Sequence, residues 1–308
     1  MAEPKRHHWW PQLQSRHWIN SDGLIYATRP DGSYFTASPE KTGAQNELYT
    51  RFGEAAEKNN DIERWFSRDI ETPFAASLNE IVALDEIHKE RFNPDPQKAA
   101  IAKELGCRVF PYREYVHIPE NDRLLIANYT AALLVRNPQY ISKLKAFHAN
   151  QNKITAANEL ATAALENMLF LYDRYRAVIR NSPFMFVLAD TENEFLFSDA
   201  GITAQEPWNA NGIPFDIHFP LTPRLAVQIL PVPNDTLLDR ALVVRAAAGG
   251  IARSNKIALG SAKRFVFSRS RPPTEFIVKH FGVPAPAAYG HRIVNGKLET
   301  VYDRSRDR

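Results

Sequence analysis

The period of the hydrophobic pattern changes twice along the chain. Within residues 23–37, two short β-prone runs flank a Pro-Asp-Gly turn. They predict a β-hairpin, because proline fixes φ and glycine accepts positive φ. Apolar residues at helical spacing follow over residues 60–91 and again from about residue 122 to residue 180. From residue 184 onwards the apolar runs shorten to strand length again, so a hairpin, a helical middle and a carboxy-terminal sheet are predicted.

The first helical stretch carries an apolar stripe that a proline interrupts. Its members are Ile62, Phe66, Ile70, Phe74, Leu78 and Ile81. With Thr72 as N-cap and Pro73 at the first helical position, two consecutive helices are expected. A short helix over residues 96–105 and a loop over residues 111–122 should follow before the helical pattern resumes.

The last third of the chain predicts a sheet. Residues 184–199, "FMFVLADTENEFLFSD", hold two apolar runs around a polar turn and predict a second hairpin. Residues 215–221 and 224–232 add two strands, residues 235–262 should be mostly helical, and residues 264–269 should form the last strand. The predicted fold class is α+β, with a mixed or antiparallel sheet in the carboxy-terminal third packed on the helices.

We expect one α+β domain over residues 1–271 and a proline-rich, charged carboxy-terminal extension over residues 272–308. The 308 residues are 44% hydrophobic, which is ample material for one large core. No run approaches the roughly 18 to 20 apolar residues that span a bilayer, and the amino terminus lacks the apolar centre of a secretory signal. A single cysteine, Cys107, fits a reducing compartment, so we expect a cytoplasmic protein without membrane contact.

Charge is distributed unevenly along the chain. Residues 40–95 contain 13 acidic and 7 basic side chains, whereas residues 240–274 contain eight basic side chains and no acidic one. The two segments could complement each other within one molecule, or the basic segment could face an anionic partner. The sequence leaves both alternatives open.

The stretch "HHWWPQ", from His7 to Gln12, places two imidazoles beside two indoles ahead of any long helix. Trp10 and its neighbour could wall a ligand-binding site and favour the neutral form of His8 by desolvation. In the alternative, the tryptophans anchor the end of the chain and the histidines stay half exposed beside them.

Two glutamates of the acidic helix stand out. Glu63 falls inside the apolar stripe at about 100° per residue, where a carboxylate must find a partner or stay protonated. It also lies near a helix start, where it could serve the free amides. Glu71 sits at the edge of the stripe. Two carboxylates near one imidazole would suit either a divalent metal ion or acid–base chemistry, although no metal motif such as HExxH is present.

Asp199 closes the strand "FLFSD", where an acid either faces a ligand or starts a turn through its own backbone bonds. Farther on, the basic stretch 252–273 contains Lys263, Arg264 and Arg269 around two alternating phenylalanines. This mixture suits phosphate or nucleic acid, but the alternation also suits core residues, and no RNP motif is present. The sequence contains no P-loop, Rossmann fingerprint or nucleophile elbow.

Taken in order, several short stretches resemble the family catalogued as domain of unknown function 4238, which occurs in bacteria and fungi. They are "HWWPQ" (8–12), "LYT" (48–50), "DIERWFSRDIE" (61–71), "FLFSD" (195–199), "PLTP" (220–223) and "SNKIALGSAKRFVFS" (254–268). The resemblance spans roughly residues 5–270. It implies a shared set of polar residues, dispersed in sequence as catalytic sets often are: His8, Glu71, Asp199 and Asn255.

Three functional hypotheses follow. In the first, the protein is a hydrolase acting on a phosphodiester or nucleotide: His8 is the acid–base group, Glu71 and Asp199 hold water or a metal ion, and the basic stretch attracts phosphate. In the second, it is a non-enzymatic binding or adaptor protein whose polar residues form a buried structural network. In the third, it binds nucleic acid without catalysis. The residues expected to bind a ligand are Trp10, Glu63, Lys263, Arg264 and Arg269.

Overall fold

The fold combines helices and sheets in one chain, as the α+β prediction requires. The computed structural model describes residues 6–53, 57–88, 113–189, 193–208, 214–229, 238–246, 248–284, 289–294 and 297–302. Within these residues, long helices dominate the middle of the chain and strands dominate its two ends. The predicted fold class is therefore confirmed.

The helices are α1 Gln12–Ser15, α2 Asp61–Trp65, α3 Thr72–Ile87, α4 Glu120–Val135, α5 Pro138–Gln151, α6 Ala157–Arg180, α7 Ala248–Ser261 and α8 Thr274–His280. A 3₁₀ turn, Arg16–Trp18, follows α1, and a π-helical segment, Phe66–Glu71, joins α2 to α3. Asn137 caps the start of α5, because its side chain accepts a hydrogen bond from the amide of Gln139 at 2.8 Å.

The strands lie mainly before α2 and after α6. They are β1 Arg6–His8, β2 Ile25–Thr28, β3 Tyr34–Ala37, β4 Ala44–Asn46, β5 Arg51–Phe52, β6 Lys58–Asn59, β7 Arg113–His117, β8 Phe184–Ala189, β9 Phe197–Ser198, β10 Thr203–Trp208, β11 Pro214–Thr222, β12 Leu225–Ile229, β13 Arg240–Ala246, β14 Val266–Ser268, β15 Tyr289–Val294 and β16 Lys297–Tyr302. The strands β2 and β3 form the hairpin expected within residues 23–37.

The larger sheet has the strand order β10-β11-β12-β8-β13-β7. Its neighbours pair antiparallel except β8 and β13, which pair parallel, so the sheet is mixed. Every residue of β8 is buried. A strand buried along its whole length needs partners on both sides, and β8 has them in β12 and β13.

The smaller sheet, ordered β3-β2-β14-β9, joins the amino-terminal hairpin to strands from the end of the chain. The hairpin expected over residues 184–199 is therefore wrong: β8 lies in the larger sheet, whereas β9 pairs with β14 in the smaller one. The two apolar runs therefore belong to different sheets.

Other local predictions need correction. Residues 240–246 form β13 and not a helix, and residues 113–117 form β7 within the predicted loop, because each pairs with a strand distant in sequence. Strand β14 is followed by two further strands, β15 and β16. The helix predicted over residues 96–105, and Cys107, lie outside the described residues.

The predicted break at Thr72 is absent, since the helical run continues from α2 through the π-helical segment into α3. Pro73 occupies the first turn of α3, and the hydroxyl of Thr72 donates to the carbonyl of Ser67 at 2.8 Å. Proline lacks an amide hydrogen and crowds the preceding turn. The wider π turn accommodates it without ending the helix.

One core cluster extends from Trp9 to Phe267 and includes residues of both sheets and of the long helices. A smaller cluster lies under α8, where the fully buried Ile277 packs with Leu259 and Val266. The start of the predicted extension is thus packed, and the division of the chain at residue 271 stays a prediction. Among the described residues, every helix is too short or too polar to cross a membrane.

Candidate functional site

The amino-terminal strand β1 divides its two histidines between the interior and the surface. His7 is fully buried; its Nδ1 accepts a hydrogen bond from the amide of Tyr49 at 2.8 Å, and the two rings stack at 5.5 Å. His8 points the other way and keeps its ring partly exposed. The strand pairs with β4, which fixes this alternation.

Trp10 lies in the core and does not wall an open site. Its ring is fully buried and stacks on Phe197 at 4.5 Å and on Phe267 at 5.0 Å. Trp18 packs edge-on against it at 5.7 Å. The tryptophans therefore anchor the start of the chain to the smaller sheet, as the alternative to a ligand-binding role required.

The ring of His8 is oriented by its Nε2 atom. This nitrogen lies 3.1 Å from the carbonyl oxygen of Glu40 and 3.3 Å from Nε2 of Gln12. Because a carbonyl only accepts, we assign the proton to Nε2, which leaves the lone pair on Nδ1. The amide nitrogen of Gln12 is also a donor, so its contact with Nε2 is then not a hydrogen bond. Burial lowers the pKa of His8 against the opposing effect of the Glu40 carbonyl. The neutral ring is therefore favoured.

The centre of the site is a buried arginine at the carboxyl end of α4. Arg136 is 1% exposed and donates to Oε1 of Glu71 at 2.7 Å and to the carbonyl of His8. Its guanidinium lies 4.4 Å from the ring of Phe66, and its Nε atom donates to the hydroxyl of Tyr49 at 3.4 Å. The hydroxyl of Tyr49 in turn donates to the carbonyl of Arg136 at 2.6 Å.

Charge is balanced around this arginine. Burial by itself lowers the pKa of Arg136, but Tyr49, Glu71 and Glu63 offset it, so the pKa is raised above its ordinary value. Burial also raises the pKa of Tyr49. The arginine therefore stays charged in the interior, as a paired buried guanidinium must.

Glu63 approaches the same arginine from α2. Its Oε1 atom accepts a hydrogen bond from the amide of His8 at 3.3 Å, whereas its Oε2 atom is buried and has no hydrogen-bond partner among the described residues. Burial raises the pKa of Glu63, and the charge of Arg136 opposes that rise. A buried carboxylate oxygen without a partner costs free energy unless the group binds a proton.

The π-helical segment brings both glutamates to Arg136. Glu63 and Glu71 are eight residues apart, which would place them about 80° apart around a regular α-helix. A π-helix turns less per residue because its hydrogen bonds reach one residue further, so the angle shrinks. Such segments occur frequently at functional sites.

The carboxylate of Asp199 accepts hydrogen bonds from backbone amides. Its Oδ1 accepts from the amide of Lys263 at 2.8 Å, and its Oδ2 accepts from the amides of Arg264 at 2.8 Å and Phe265 at 3.2 Å. Its carbonyl accepts from the side chain of Asn137 at 3.1 Å. Asp199 therefore connects to the Arg136 site through the residue that follows Arg136.

Asn255 lies away from His8, Glu63, Glu71 and Arg136. Its Oδ1 accepts from the amide of Leu196 and its Nδ2 donates to the carbonyl of Glu194, both at 2.8 Å. It thus ties α7 to the segment before β9 through backbone hydrogen bonds.

The basic residues of the stretch 252–273 differ in whether they pair with a carboxylate. Lys263 and Arg264 are exposed at the start of the stretch that leads into β14. Arg269 is paired with Glu194 through its Nε atom at 2.8 Å. Its charge is therefore used within the molecule.

A comparison with family models gives one match. The model described as "Protein of unknown function (DUF4238)" matches residues 6–272. The chain belongs to the DUF4238 family. No curated protein and no solved structure matches this DUF4238 protein.

The DUF4238 match covers every residue placed at the site by sequence or by structure. The structure brings His8, Glu63 and Glu71 together around Arg136. Asp199 connects to this group through Asn137, the residue after Arg136. The structure does not bring Asn255, Arg269 or Trp10 to the same place.

Sequence reasoning missed Arg136 and Tyr49. The signal for Arg136 was its position in "LLVRNP", directly after three apolar residues at the end of a helix. A guanidinium there must either leave the helix end for water or meet a buried acid.

The expected metal ion finds no prepared set of ligands in the described part of this DUF4238 protein. No group of three or more His, Cys, Asp or Glu side chains lies close enough there to hold one. Between Glu63 and Glu71, the positive charge is supplied by the guanidinium of Arg136. What the arrangement offers chemically is a neutral, oriented imidazole beside charges held in place by the core.

Proposed function

We propose that this DUF4238 protein is a hydrolase acting on a phosphodiester or nucleotide, with His8 as the group that accepts the proton of the attacking water. The observation that carries the proposal is the orientation of the His8 ring. Its protonated Nε2 is tied to the carbonyl of Glu40, and its main chain is held by Glu63 and Arg136. No described residue forms a hydrogen bond with Nδ1, so this nitrogen is left to accept a proton.

The surroundings of His8 suit an anionic substrate. Arg6 and Arg16 are exposed on either side of it: Arg6 donates to the carbonyl of Lys41 at 3.1 Å, and Arg16 donates to the side chain of Gln12 at 3.4 Å. Gln12 itself contacts the His8 ring. Two guanidinium groups can therefore approach phosphate oxygens while the imidazole faces the attacking water.

In the proposed reaction, Nδ1 of His8 takes a proton from water as the water oxygen bonds to phosphorus. The bond from phosphorus to the leaving oxygen then breaks, and the leaving group departs as an anion or is protonated by solvent. Glu63, Glu71 and Arg136 act as positioning residues, since their contacts are to the backbone of His8 and to one another.

Hydrolysis of bis(p-nitrophenyl) phosphate tests the proposal, since its leaving group needs no acid. We expect His8→Ala to reduce turnover by about a hundredfold or more while the melting temperature stays near that of the wild type. His148→Ala is the matched control, because His148 lies on α5 and its ring bonds to Asn152. Equal turnover in wild type and His8→Ala would refute the role of His8.

A second candidate function is a non-enzymatic binding or adaptor protein whose polar residues are structural. It is supported by Asp199 and Asn255, whose side chains are engaged by backbone groups. This function predicts that His8→Ala and Asp199→Ala both lower the melting temperature and that the wild-type protein hydrolyses no phosphodiester.

A further inference from the structure

Aromatic rings and cationic side chains form one exposed surface beside the smaller sheet. This aromatic–arginine surface consists of Arg29, Phe35, Lys263, Arg264 and Phe265. The rings of Phe35 and Phe265 meet edge to face at 5.4 Å. The guanidinium of Arg29 lies 5.0 Å from the ring of Phe35, and that of Arg264 lies 5.5 Å from the ring of Phe265.

The cations of this surface have no carboxylate within ion-pair distance in the described part of the chain. Neither Arg29, Lys263 nor Arg264 forms a salt bridge there, in contrast to Arg269 with Glu194. Asp31 lies near Arg29, but its carboxylate accepts from the amide and hydroxyl of Ser33. With Arg29, Lys263 and Arg264 against the carboxylates of Asp31 and Asp199, the surface still carries net positive charge. One of its rings, Phe35, is 39% exposed.

The backbone beneath the surface is held rigidly. The carboxylate of Asp199 accepts hydrogen bonds from three successive amides, those of Lys263, Arg264 and Phe265. Phe35 lies opposite Ala27 in the β2–β3 pair. A surface whose backbone is fixed in advance loses little entropy when a ligand binds.

The aromatic–arginine surface borders the aromatic core of the smaller sheet. The ring of Phe265 lies 6.5 Å from that of Phe267, which lies 6.2 Å from that of Trp9, and both Phe267 and Trp9 are buried. A ligand on this surface therefore meets the rings of Phe35 and Phe265 and not those behind them.

We propose that the aromatic–arginine surface binds single-stranded nucleic acid. Unpaired bases would stack on Phe35 and Phe265, while backbone phosphates would contact Arg29, Lys263 and Arg264. A duplex keeps its base faces covered, and an acidic peptide would satisfy the charges but leave the rings without a partner. This inference goes beyond the proposed function, because binding on the aromatic–arginine surface does not require hydrolysis at His8.

A fluorescein-labelled twelve-residue oligothymidylate, followed by fluorescence anisotropy, measures this binding. With three cations on phosphates, the logarithm of the association constant should fall with the logarithm of salt concentration with a slope of about −2. The double variant Arg29→Glu/Arg264→Glu should bind at least about tenfold more weakly. Phe35→Ala should bind at least about fivefold more weakly, because a stacked base is lost.

The matched control is Phe170→Ala/Arg174→Glu. Phe170 is an exposed ring on α6, and the guanidinium of Arg174 lies 5.8 Å from it, so the control removes the same kinds of group elsewhere. Wild-type affinity in this control, together with weak binding by Arg29→Glu/Arg264→Glu, supports the inference. Equal affinity of wild type and Arg29→Glu/Arg264→Glu, or equal loss in the control, overturns it.

Two further readouts separate this inference from the proposed function. Hydrolysis of bis(p-nitrophenyl) phosphate with no oligothymidylate binding by the wild type would overturn the nucleic-acid surface and leave the hydrolase. Oligothymidylate binding that depends on Arg29 and Arg264, with no hydrolysis of either compound, would overturn the hydrolase and leave the surface. Displacement of the oligothymidylate by an equal concentration of a twelve-residue polyglutamate would show an acidic-peptide site and overturn the inference.

Discussion

At the scale of single residues, Arg136 determines how the site is held. Its guanidinium contacts a carboxylate, a backbone carbonyl, a phenol and a phenyl ring, which come from three separate segments of the chain. A buried ion pair adds little stability by itself, because desolvation offsets the attraction. Removing one partner is costly, however, since the other charge is then left buried.

Arg136→Met should therefore destabilise the protein by about 3 to 5 kcal/mol, as measured by urea unfolding. The loss would leave Glu71 and Glu63 without their cation. Arg68→Met serves as the control, because Arg68 is exposed and pairs with Asp69 at the surface; its effect should stay within about 0.5 kcal/mol. Equal effects of the two substitutions would contradict the central role of Arg136.

Glu63 makes a pH-dependent contribution to stability. Burial raises the pKa of Glu63 above its ordinary value of 4.5. The neutral carboxyl group is thus preferred in the fold, and this contribution is complete below about pH 4.5 and lost as pH rises through the raised pKa. Glu63→Gln keeps an acceptor for the amide of His8 but cannot ionise.

The unfolding free energy of Glu63→Gln relative to wild type should therefore increase as pH rises from about 4 to 8. Urea unfolding at several pH values measures this difference. Glu80→Gln, an exposed change on α3, is the control for the same chemical substitution. A difference for Glu63→Gln that falls as pH rises would refute this sign.

At the scale of elements, the π-helical segment orients two carboxylates, those of Glu63 and Glu71, towards the guanidinium of Arg136. It contains one residue more than the α-helical turns it replaces would need. Deleting the exposed Ser67 would remove this extra residue and leave Glu63 and Glu71 seven residues apart, about 20° around a regular α-helix, so their alignment would be kept. Inserting one alanine after Ser67 should instead rotate α2 against α3 by about 100°, which takes Glu63 or Glu71 away from Arg136.

We expect the insertion after Ser67 to lower the free energy of unfolding by about 3 kcal/mol or more, for the same reason as Arg136→Met. Ser67→Ala, which keeps the residue count, should lower it by less than about 1 kcal/mol. Urea unfolding with helical content followed by circular dichroism measures both. An insertion variant as stable as Ser67→Ala would show that the alignment of the two glutamates is dispensable.

The turn between α7 and β14 depends on the carboxylate of Asp199. Hydrogen bonds to a charged acceptor contribute about 1.5 to 3 kcal/mol each and are not additive. We expect Asp199→Ala to destabilise the protein by about 2 to 4 kcal/mol. Amide hydrogen exchange at Lys263, Arg264 and Phe265 should accelerate, whereas Asp31→Ala should accelerate exchange only in the β2–β3 turn. Unchanged amide hydrogen exchange at these three residues in Asp199→Ala would contradict this role of the Asp199 carboxylate.

At the scale of the whole molecule, local sequence patterns predicted those elements whose structure is determined within their own segment. The hairpin β2–β3 and the helices α4 to α6 follow from turn chemistry and periodicity within their own segments. Strand β13 could not be predicted, because "RALVVRA" lies directly before a helical pattern and becomes a strand only by pairing with β8 some 55 residues earlier.

The same limit applies to the site: polar residues that stand out locally could be predicted, whereas contacts between distant segments could not. His8, Glu63 and Glu71 stood out as polar groups in apolar surroundings, and the structure places them together. Whether Asp199 meets a ligand or a backbone amide depends on residues 263–265, which no local pattern connects to it. Arg136 could not be predicted for the same reason, since its partner Glu71 lies 65 residues away in the chain.

The end of the chain contains α8, which belongs to the smaller core cluster, and the strand pair β15–β16. We expect a chain ending at residue 284 to melt within about 2 °C of the full chain, because it loses β15 and β16, whose described strands pair with each other. A chain ending at residue 272 should melt several degrees lower, since it also loses Ile277 from the smaller core cluster. Calorimetry on both chains measures this; similar melting of the two would show that α8 contributes no stability.

The pairing of Thr28 with Val266 also has a consequence for biosynthesis. At about 5 to 20 residues per second, a ribosome needs roughly 10 to 50 seconds to make the intervening chain. During that time the nascent hairpin has neither its neighbouring strand nor the tryptophan packing that depends on it, and its side chains Ile25 and Ala27, which the finished fold buries, are open to chaperones. Completion of this sheet therefore has to wait until Val266 has left the exit tunnel.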